Sequence, residues 1–355
     1  MRISLTTTLL AIVLTGTAEA QEILPGASIS FAVPALLPAL EAPQAARPSV
    51  SPAQPQAGSA QRLLGMMGFI DDARVYSKIR VRVDSAFRST APDRAEFFYA
   101  KCGCYGLLPA ASPNFDPDAP GPARAVNDLD FNQIDIFGEW AFGIFSAFGQ
   151  LPLRWIQPRS LIPGPGGAFP NQSGLGDVRA GIKMAVVETR DQSLTAQAQF
   201  YVPTGDASQG LGTNHTSFEP SLLYYRRLSD DIGLESQFGV WFPLDGSAGV
   251  PTSVEESFSG QVLNYGVGAS FDVHREGRIL FAPIVELVGW RVLSGFQTSP
   301  TVAANPANGV NILDFKVGAR VTVDGTHSVY GGFGHALTDA TWYDDIVRIE
   351  YRFSF

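Results

Sequence analysis

Ile346-Val347-Arg348-Ile349-Glu350-Tyr351-Arg352-Phe353-Ser354-Phe355 alternates without a break. Counted back by twos, Phe355, Phe353, Tyr351, Ile349 and Val347 fall on one side, and Ser354, Arg352, Glu350 and Arg348 on the other. Side chains of a strand point to opposite faces in turn, so this pattern makes a strand with one wholly apolar and one charged face. Two folds accept such a strand, the edge of a soluble sandwich and the wall of a membrane barrel. The rest of the chain has to choose between them.

At 355 residues the chain is long enough for one large barrel or two ordinary domains. Hydrophobic residues make up 45%, yet after the first twenty positions no apolar run reaches the length of a membrane helix. Any crossing by the mature chain must therefore use strands. Phe (24) and Gly (36) suit a sheet with aromatic rims and tight turns. A net charge of −9 and the lack of any basic block argue against a nucleic-acid partner. Four histidines and two cysteines are too few and scattered for a metal cluster, and no cofactor is expected.

Arg2, the apolar segment from Ile3 to Leu14 and the small-residue sequence Ala18-Glu19-Ala20 predict a signal peptide over 1–20, cleaved before Gln21; an uncleaved start is the alternative. Residues 21–72 follow as a lead whose Ala, Pro, Ser and Gln content, as in Ser51-Pro52-Ala53-Gln54-Pro55, predicts a largely disordered periplasmic spacer. The barrel is expected over 73–355. Alternation starts after Asp72, with Val75, Ile79, Val81, Val83 and Phe87 on one face and Lys78, Arg80, Arg82 and Asp84 on the other. Further strands are predicted near Phe131 to Trp140 and Phe142 to Trp155. In a central pair, Val178, Ala180, Ile182, Met184 and Val186 oppose Asp177, Arg179 and Lys183. Its partner sets Leu194, Ala196, Ala198, Phe200 and Val202 against Ser193, Thr195, Gln197, Gln199 and Tyr201. The pattern recurs at Phe218 to Tyr225, Ile232 to Phe242, Leu263 to Phe271, Phe281 to Trp290, Leu313 to Val323 and Ser328 to Leu337. The total is about twelve strands, an even number, as bacterial single-chain barrels require.

Connection lengths alternate as well. Short links sit at Ala141, Thr189 to Asp191, Ser229 to Asp231, His274 to Gly277 and Asp324 to Thr326. Between them lie longer ones, Ser89 to Asp128, Gln157 to Gly174, Pro203 to His215, Pro243 to Ser257, Val292 to Asn311 and Thr338 to Asp344. An antiparallel up-and-down meander with short turns on one side and long loops on the other is the plan of an all-β transmembrane barrel. A lipocalin-like barrel shows the same period with its apolar side inward. Charges of both signs at mid-strand favour the polar face as the enclosed one, because a charge facing lipid at mid-depth costs about 2–4 kcal/mol. The expected lumen-lining residues are Arg179, Lys183, Arg320, Arg348 and Arg352 on a basic side, and Glu219, Glu235, Glu286 and Asp314 on an acidic side. They form either a selective constriction or a ladder of structural ion pairs.

The terminal strand resembles the C-terminal assembly signal of Gram-negative outer-membrane barrels, which assigns Tyr351, Phe353 and Phe355 to recognition by the barrel-assembly machinery. Gly174-Leu175-Gly176-Asp177 opens a strand, Tyr201-Val202-Pro203-Thr204-Gly205-Asp206 closes the next, and Leu211-Gly212 follows. This pattern resembles the outer-membrane transporter family known as the phenol-degradation meta-pathway proteins. The resemblance covers the middle third by motif and the span from Val75 to Phe355 by plan. It implies an outer-membrane barrel in a Gram-negative-type bacterium, in contact with outer-membrane lipids, that passes small aromatic or otherwise apolar solutes. It carries over no functional residues, and the Pro-rich lead and the Cys pair depart from the family pattern.

Two other readings stay open. Asn214-His215-Thr216-Ser217 with Glu219 nearby has the His-x-Ser spacing of outer-membrane lipid hydrolases, in which one strand face presents base and nucleophile together; His and Ser are also ordinary turn formers. The other reading is a closed structural or surface-interaction barrel. Cys102 and Cys104 lie in an exported loop, where a disulfide bracing the loop is expected. The first choice is a channel or transporter for passive passage of small molecules, not an enzyme.

Overall fold

The computed structural model describes residues 65–90 and 101–355, except positions 245, 247, 248, 251 and 252. The expected signal peptide and the greater part of the expected lead lie outside the described residues.

Twelve strands wind into a closed antiparallel barrel, numbered here in chain order: β1 (Lys78–Ser89), β2 (Val126–Phe142), β3 (Phe145–Leu161), β4 (Val178–Glu188), β5 (Gln192–Val202), β6 (Ser217–Arg227), β7 (Ile232–Pro243), β8 (Val262–Phe271), β9 (Ile279–Val292), β10 (Asn311–Val323), β11 (His327–Ala336) and β12 (Asp345–Ser354). Each pairs with its sequence neighbours, and β1 closes on β12 from Lys78 opposite Ser354 to Phe87 opposite Asp345. Closure removes the free edge that an open sheet cannot carry in hydrocarbon.

Side-chain direction follows the alternation. Ile79, Val81, Val83, Ile136, Ile182, Val267, Val285, Phe315, Val347 and Ile349 all face outward and are exposed. Their neighbours Arg80, Asp135, Lys183, Glu286, Asp314, Arg320, Arg348 and Glu350 are buried inside. An apolar outer wall around a charged interior is stable only if lipid bathes the outside, so this is an outer-membrane barrel of a Gram-negative-type bacterium. Among the described residues no helix is long and apolar enough to cross a membrane; strands make the crossing.

The turns after β2, β4, β6, β8 and β10 are short and share one end with Lys78 and Ser354; the long loops share the other. The short-turn end is therefore periplasmic. The first hairpin turns at Gly143 (φ 67°), two residues beyond the expected Ala141, because glycine enters the left-handed region freely. Alternation stops counting correctly at a bulge between Ala185 and Val187 in β4, where Val186 and Val187 both face lipid.

The first strand and the lead need correction. Val75 does not lie on the wall, since β1 starts at Lys78. Gly65–Ser77, read from sequence as the end of the spacer and the start of the barrel, lies inside the lumen. It rises from Gly65, turns at Phe69 and returns to Ser77, whose hydroxyl accepts from the Ala141 amide at 3.0 Å at the periplasmic rim. Its two arms touch, for a Cβ on Gly65 would meet the Asp72 carboxyl at 2.2 Å. Glycines on the inner face make room for it: a Cβ on Gly268 would meet Met67 Sδ at 2.5 Å, and one on Gly266 would meet Ile70 at 3.1 Å.

Candidate functional site: the lumen

The lumenal segment forms no strand, so its amides and carbonyls need partners, and wall side chains supply them. Glu286 accepts from the amides of Gly68 (3.2 Å), Phe69 (2.9 Å) and Ile70 (2.9 Å), and Glu235 from that of Met66 (2.7 Å). Arg320 donates to the carbonyls of Met66 (2.8 Å) and Met67 (3.0 Å), Arg348 to Gly68 (2.7 Å), Arg352 to Gly65 (2.7 Å) and Lys183 to Asp72 (2.9 Å). Ser193 and Thr195 both donate to the carbonyl of Ala73. Six of the nine expected lumen residues thus hold this segment rather than line an open path.

Under and around the segment the wall is knitted by ion pairs. Glu350, fully buried, gathers Arg320 and Arg352 at 2.9 Å each, Arg82 at 3.3 Å and Arg80 at 3.7 Å. Glu139 lies 3.1 Å from Lys78 and 3.3 Å from Lys183, and Lys78 reaches Asp72 of the segment at 2.9 Å. Buried charges are costly unless each finds a partner, and here the partners come from the facing strand in register (Arg82 opposite Glu350, Lys78 opposite Glu139), from the same strand (Arg352) or from one strand further round the wall (Arg320, Lys183).

Above Phe69 the lumen opens into a cavity of about 230 Å³ in the half nearer the long loops. Phe131, Tyr201, Trp241, Trp290, Trp342 and Tyr343 wall it, together with Arg82, Asp84, Asp135, Arg154, Arg179, Glu219 and Arg348. Trp290 stacks on Trp342 with ring centres 4.8 Å apart, and Tyr201 meets Trp241 edge-on at 6.4 Å. Arg348 grips Asp84 with two hydrogen bonds, at 2.7 and 2.6 Å. Arg179 and Glu219 therefore line this space, whereas Asp314 stays beside Lys316 at 3.3 Å. Tyr343, in the β11–β12 loop, accepts from Lys316 at 2.5 Å. Burial, reinforced by the Asp314 charge, holds its hydroxyl well above the usual phenol range, so it stays protonated.

Sequence reading missed the aromatic wall and the lumenal segment. Trp241 and Tyr201 sit at inward positions of strands whose pattern was read correctly, and their ring type was the available signal. A larger space of about 600 Å³ lies among the outer loops, lined by residues such as Ser257, Gln261, Ser294 and Phe296, and among the described residues that line it none is charged. The outer loops also bury Cys102, Cys104, Tyr105, Ile162, Phe258 and Val302 together, with the two sulfurs joined and Lys101 paired to Asp116 at 2.6 Å. Among the described residues no group of three or more His, Cys, Asp or Glu is placed to hold a metal ion.

The His-x-Ser arrangement does not assemble. Ser217 Oγ is buried without a hydrogen-bond partner, so the link from nucleophile to base is not made. His215 turns Nδ1 to the Thr213 carbonyl at 3.0 Å and stands edge-on to Trp241, inside the barrel and away from lipid.

Several solved structures are similar in outline. An outer membrane channel from Pseudomonas putida F1 is 13% identical, with a TM-score of 0.47, covering 79% of this chain and 96% of that one. The beta domain of the Bordetella autotransporter BrkA is 14% identical (TM-score 0.43; 79% and 100% covered), and the NanC porin is 7% identical (TM-score 0.42; 78% and 100% covered). No curated protein matches the sequence. The family described as "Putative MetA-pathway of phenol degradation" matches residues 131–334, more than half of the chain, and the protein belongs to that family.

Proposed function

We propose that the protein is an outer-membrane channel for passive passage of small molecules, aromatic or otherwise apolar, across a lumen narrowed by its own Gly65–Ser77 segment. The observation that carries this reading is the aromatic-walled cavity of about 230 Å³ set directly above Phe69, inside a barrel whose enclosed face is polar. Pores of this kind combine apolar walls with a few fixed polar groups, and the family description points to the same solute class. Tyr351, Phe353 and Phe355 we assign to recognition by the assembly machinery, with outer-membrane lipids as the remaining partner.

A closed structural barrel is the second reading, favoured by the hydrogen bonds that pin the segment across the lumen. Planar-bilayer recordings and liposome swelling with the full chain distinguish the two. The channel reading expects small, brief current steps and swelling with solutes of pentose size but not with disaccharides. A barrel that passes neither ions nor pentoses is sealed, and the channel reading is then wrong.

A further inference from the structure

We infer that the lumenal cavity is a binding site for a small aromatic carboxylate, with Arg179 as the group that takes the carboxylate.

Among the described residues at this cavity the carboxylates have their own hydrogen-bond partners and one cation has none. Three carboxylates face this cavity. Asp84 is held by Arg348. Asp135 accepts from Gln133 at 2.9 and 3.0 Å and from Gln150 at 2.8 Å. Glu219 accepts from Asn264 at 2.7 Å, from Ser221 at 3.3 Å and from the Tyr201 hydroxyl. None of them makes a hydrogen bond or ion pair with Arg179, although the charges of Asp135, Glu219 and, across the smaller void, Asp71 act on it from further off. Among the described residues its guanidinium makes no hydrogen bond and no ion pair, and its Nε is buried without a partner. The guanidinium lies over the Tyr201 ring, 4.8 Å from its centre.

Every other wall arginine of the cavity is engaged. Arg348 takes Asp84, Arg82 lies 3.3 Å from Glu350, and Arg154 donates to Gln133 at 2.8 Å. Arg179 is presented to empty space, at the point where the cavity meets the smaller void beside Asp71 and Asp72. A half-buried guanidinium with open donors favours an anion, and its planar fork fits the two oxygens of a carboxylate. The walls say what the anion carries. Tyr201, Trp241, Trp290 and Trp342 offer ring faces and edges to a flat apolar body, and the cavity holds several waters' worth of volume at about 30 Å³ each, enough for a single ring. A phosphate or sulfate would leave this aromatic surface without use.

The inference deepens the proposed function and rests on its lumenal path, but binding is measured without passage, so either can fail alone. Isothermal titration of the full chain, folded in nanodiscs, is made with benzoate, with benzyl alcohol as the neutral ring of similar shape, and with acetate as the anion lacking a ring. Benzoate is expected to bind at least about tenfold more tightly than either. Arg179→Gln is expected to erase the margin over benzyl alcohol, and Arg179→Lys to keep part of it. Gln150 lies opposite Arg179 in the strand register. Gln150→Glu, which sets a carboxylate there, is expected to weaken benzoate alone, a second route to the answer if Arg179→Gln fails the heat-shift test for a folded barrel. Equal affinity for benzoate and benzyl alcohol in the unaltered protein overturns the role of Arg179. Acetate binding as tightly as benzoate overturns the aromatic half, and binding of none of the three overturns the site.

Discussion

Glu286 shows how single side chains decide the state of the lumen. One carboxylate accepts from three consecutive amides, Gly68, Phe69 and Ile70, at the turn of the lumenal segment. Hydrogen bonds to a charged acceptor contribute about 1.5–3 kcal/mol each, and less when one group is shared. Glu286→Gln keeps the shape but removes the charge and offers one acceptor oxygen. The turn should then open more often, and hydrogen exchange at those three amides should rise by about ten- to a hundredfold. Unchanged protection would mean that the other wall side chains, Arg320 and Arg348 nearest the turn, fix it without the Glu286 charge. Cys102 and Cys104 act at the same scale in the outer loops, where their bond ties a tight turn into the Tyr105 and Phe258 cluster. Alkylation without reductant, followed by mass spectrometry, should find no free thiol; two labelled cysteines would remove the brace.

At the scale of the element, period two did most of the work. It was enough to place Ile182 toward lipid and Lys183 toward the lumen, because hydrocarbon outside and ion pairs inside leave no tolerance for a slip of one residue. The count is broken by the bulge before Val187, one residue past the last position it assigned, Val186, and it failed where an extended segment has no alternating surroundings at all. Gly65–Ser77 reads as linker because its partners are side chains far away in sequence, such as Glu286 and Arg320, and no local pattern records them. The inward glycines Gly266 and Gly268 were its one trace, positions where a filled lumen needs space. Two consequences follow for the wall. Ile182, 58% exposed at mid-strand in β4, should cost about 2–4 kcal/mol when replaced by Arg, read as a lower urea midpoint for refolding into lipid vesicles; a shift under about 0.5 kcal/mol would place β4 off the bilayer midplane. Phe355 packs edge-on to Trp140 at 5.2 Å and against Phe353 at 5.7 Å on the periplasmic rim. Phe355→Ala should lower the fraction of heat-modifiable barrel recovered from membranes several-fold if that ring is read during assembly, and wild-type recovery would dismiss the assignment.

For the whole molecule, the tension is between a sealed base and an open upper cavity. A barrel of this strand number leaves little space inside, and the folded-back segment takes most of it on the periplasmic side. The segment is held by charged side chains that would otherwise face water in the lumen, so its release exchanges protein hydrogen bonds for hydration and costs far less than unfolding any strand. The wall does not depend on it, since Glu350 keeps its four arginines and Glu139 its two lysines. Excising Gly65–Arg74 should therefore leave a folded, heat-modifiable barrel while raising single-channel conductance several-fold and lengthening the open events. Deletion also removes Asp71 and Asp72 against Arg74 and leaves Lys78, Arg80, Arg82, Lys183, Arg320, Arg348 and Arg352 facing Asp84, Glu139, Glu235, Glu286 and Glu350, and this excess of positive charge should turn the pore toward anions, seen as a shift of reversal potential in a salt gradient. Unaltered conductance in a folded deletion variant would show that the obstruction lies elsewhere, in the outer loops around Tyr105 and Phe258. A larger but non-selective current would retain the segment as the barrier and reject the charge argument.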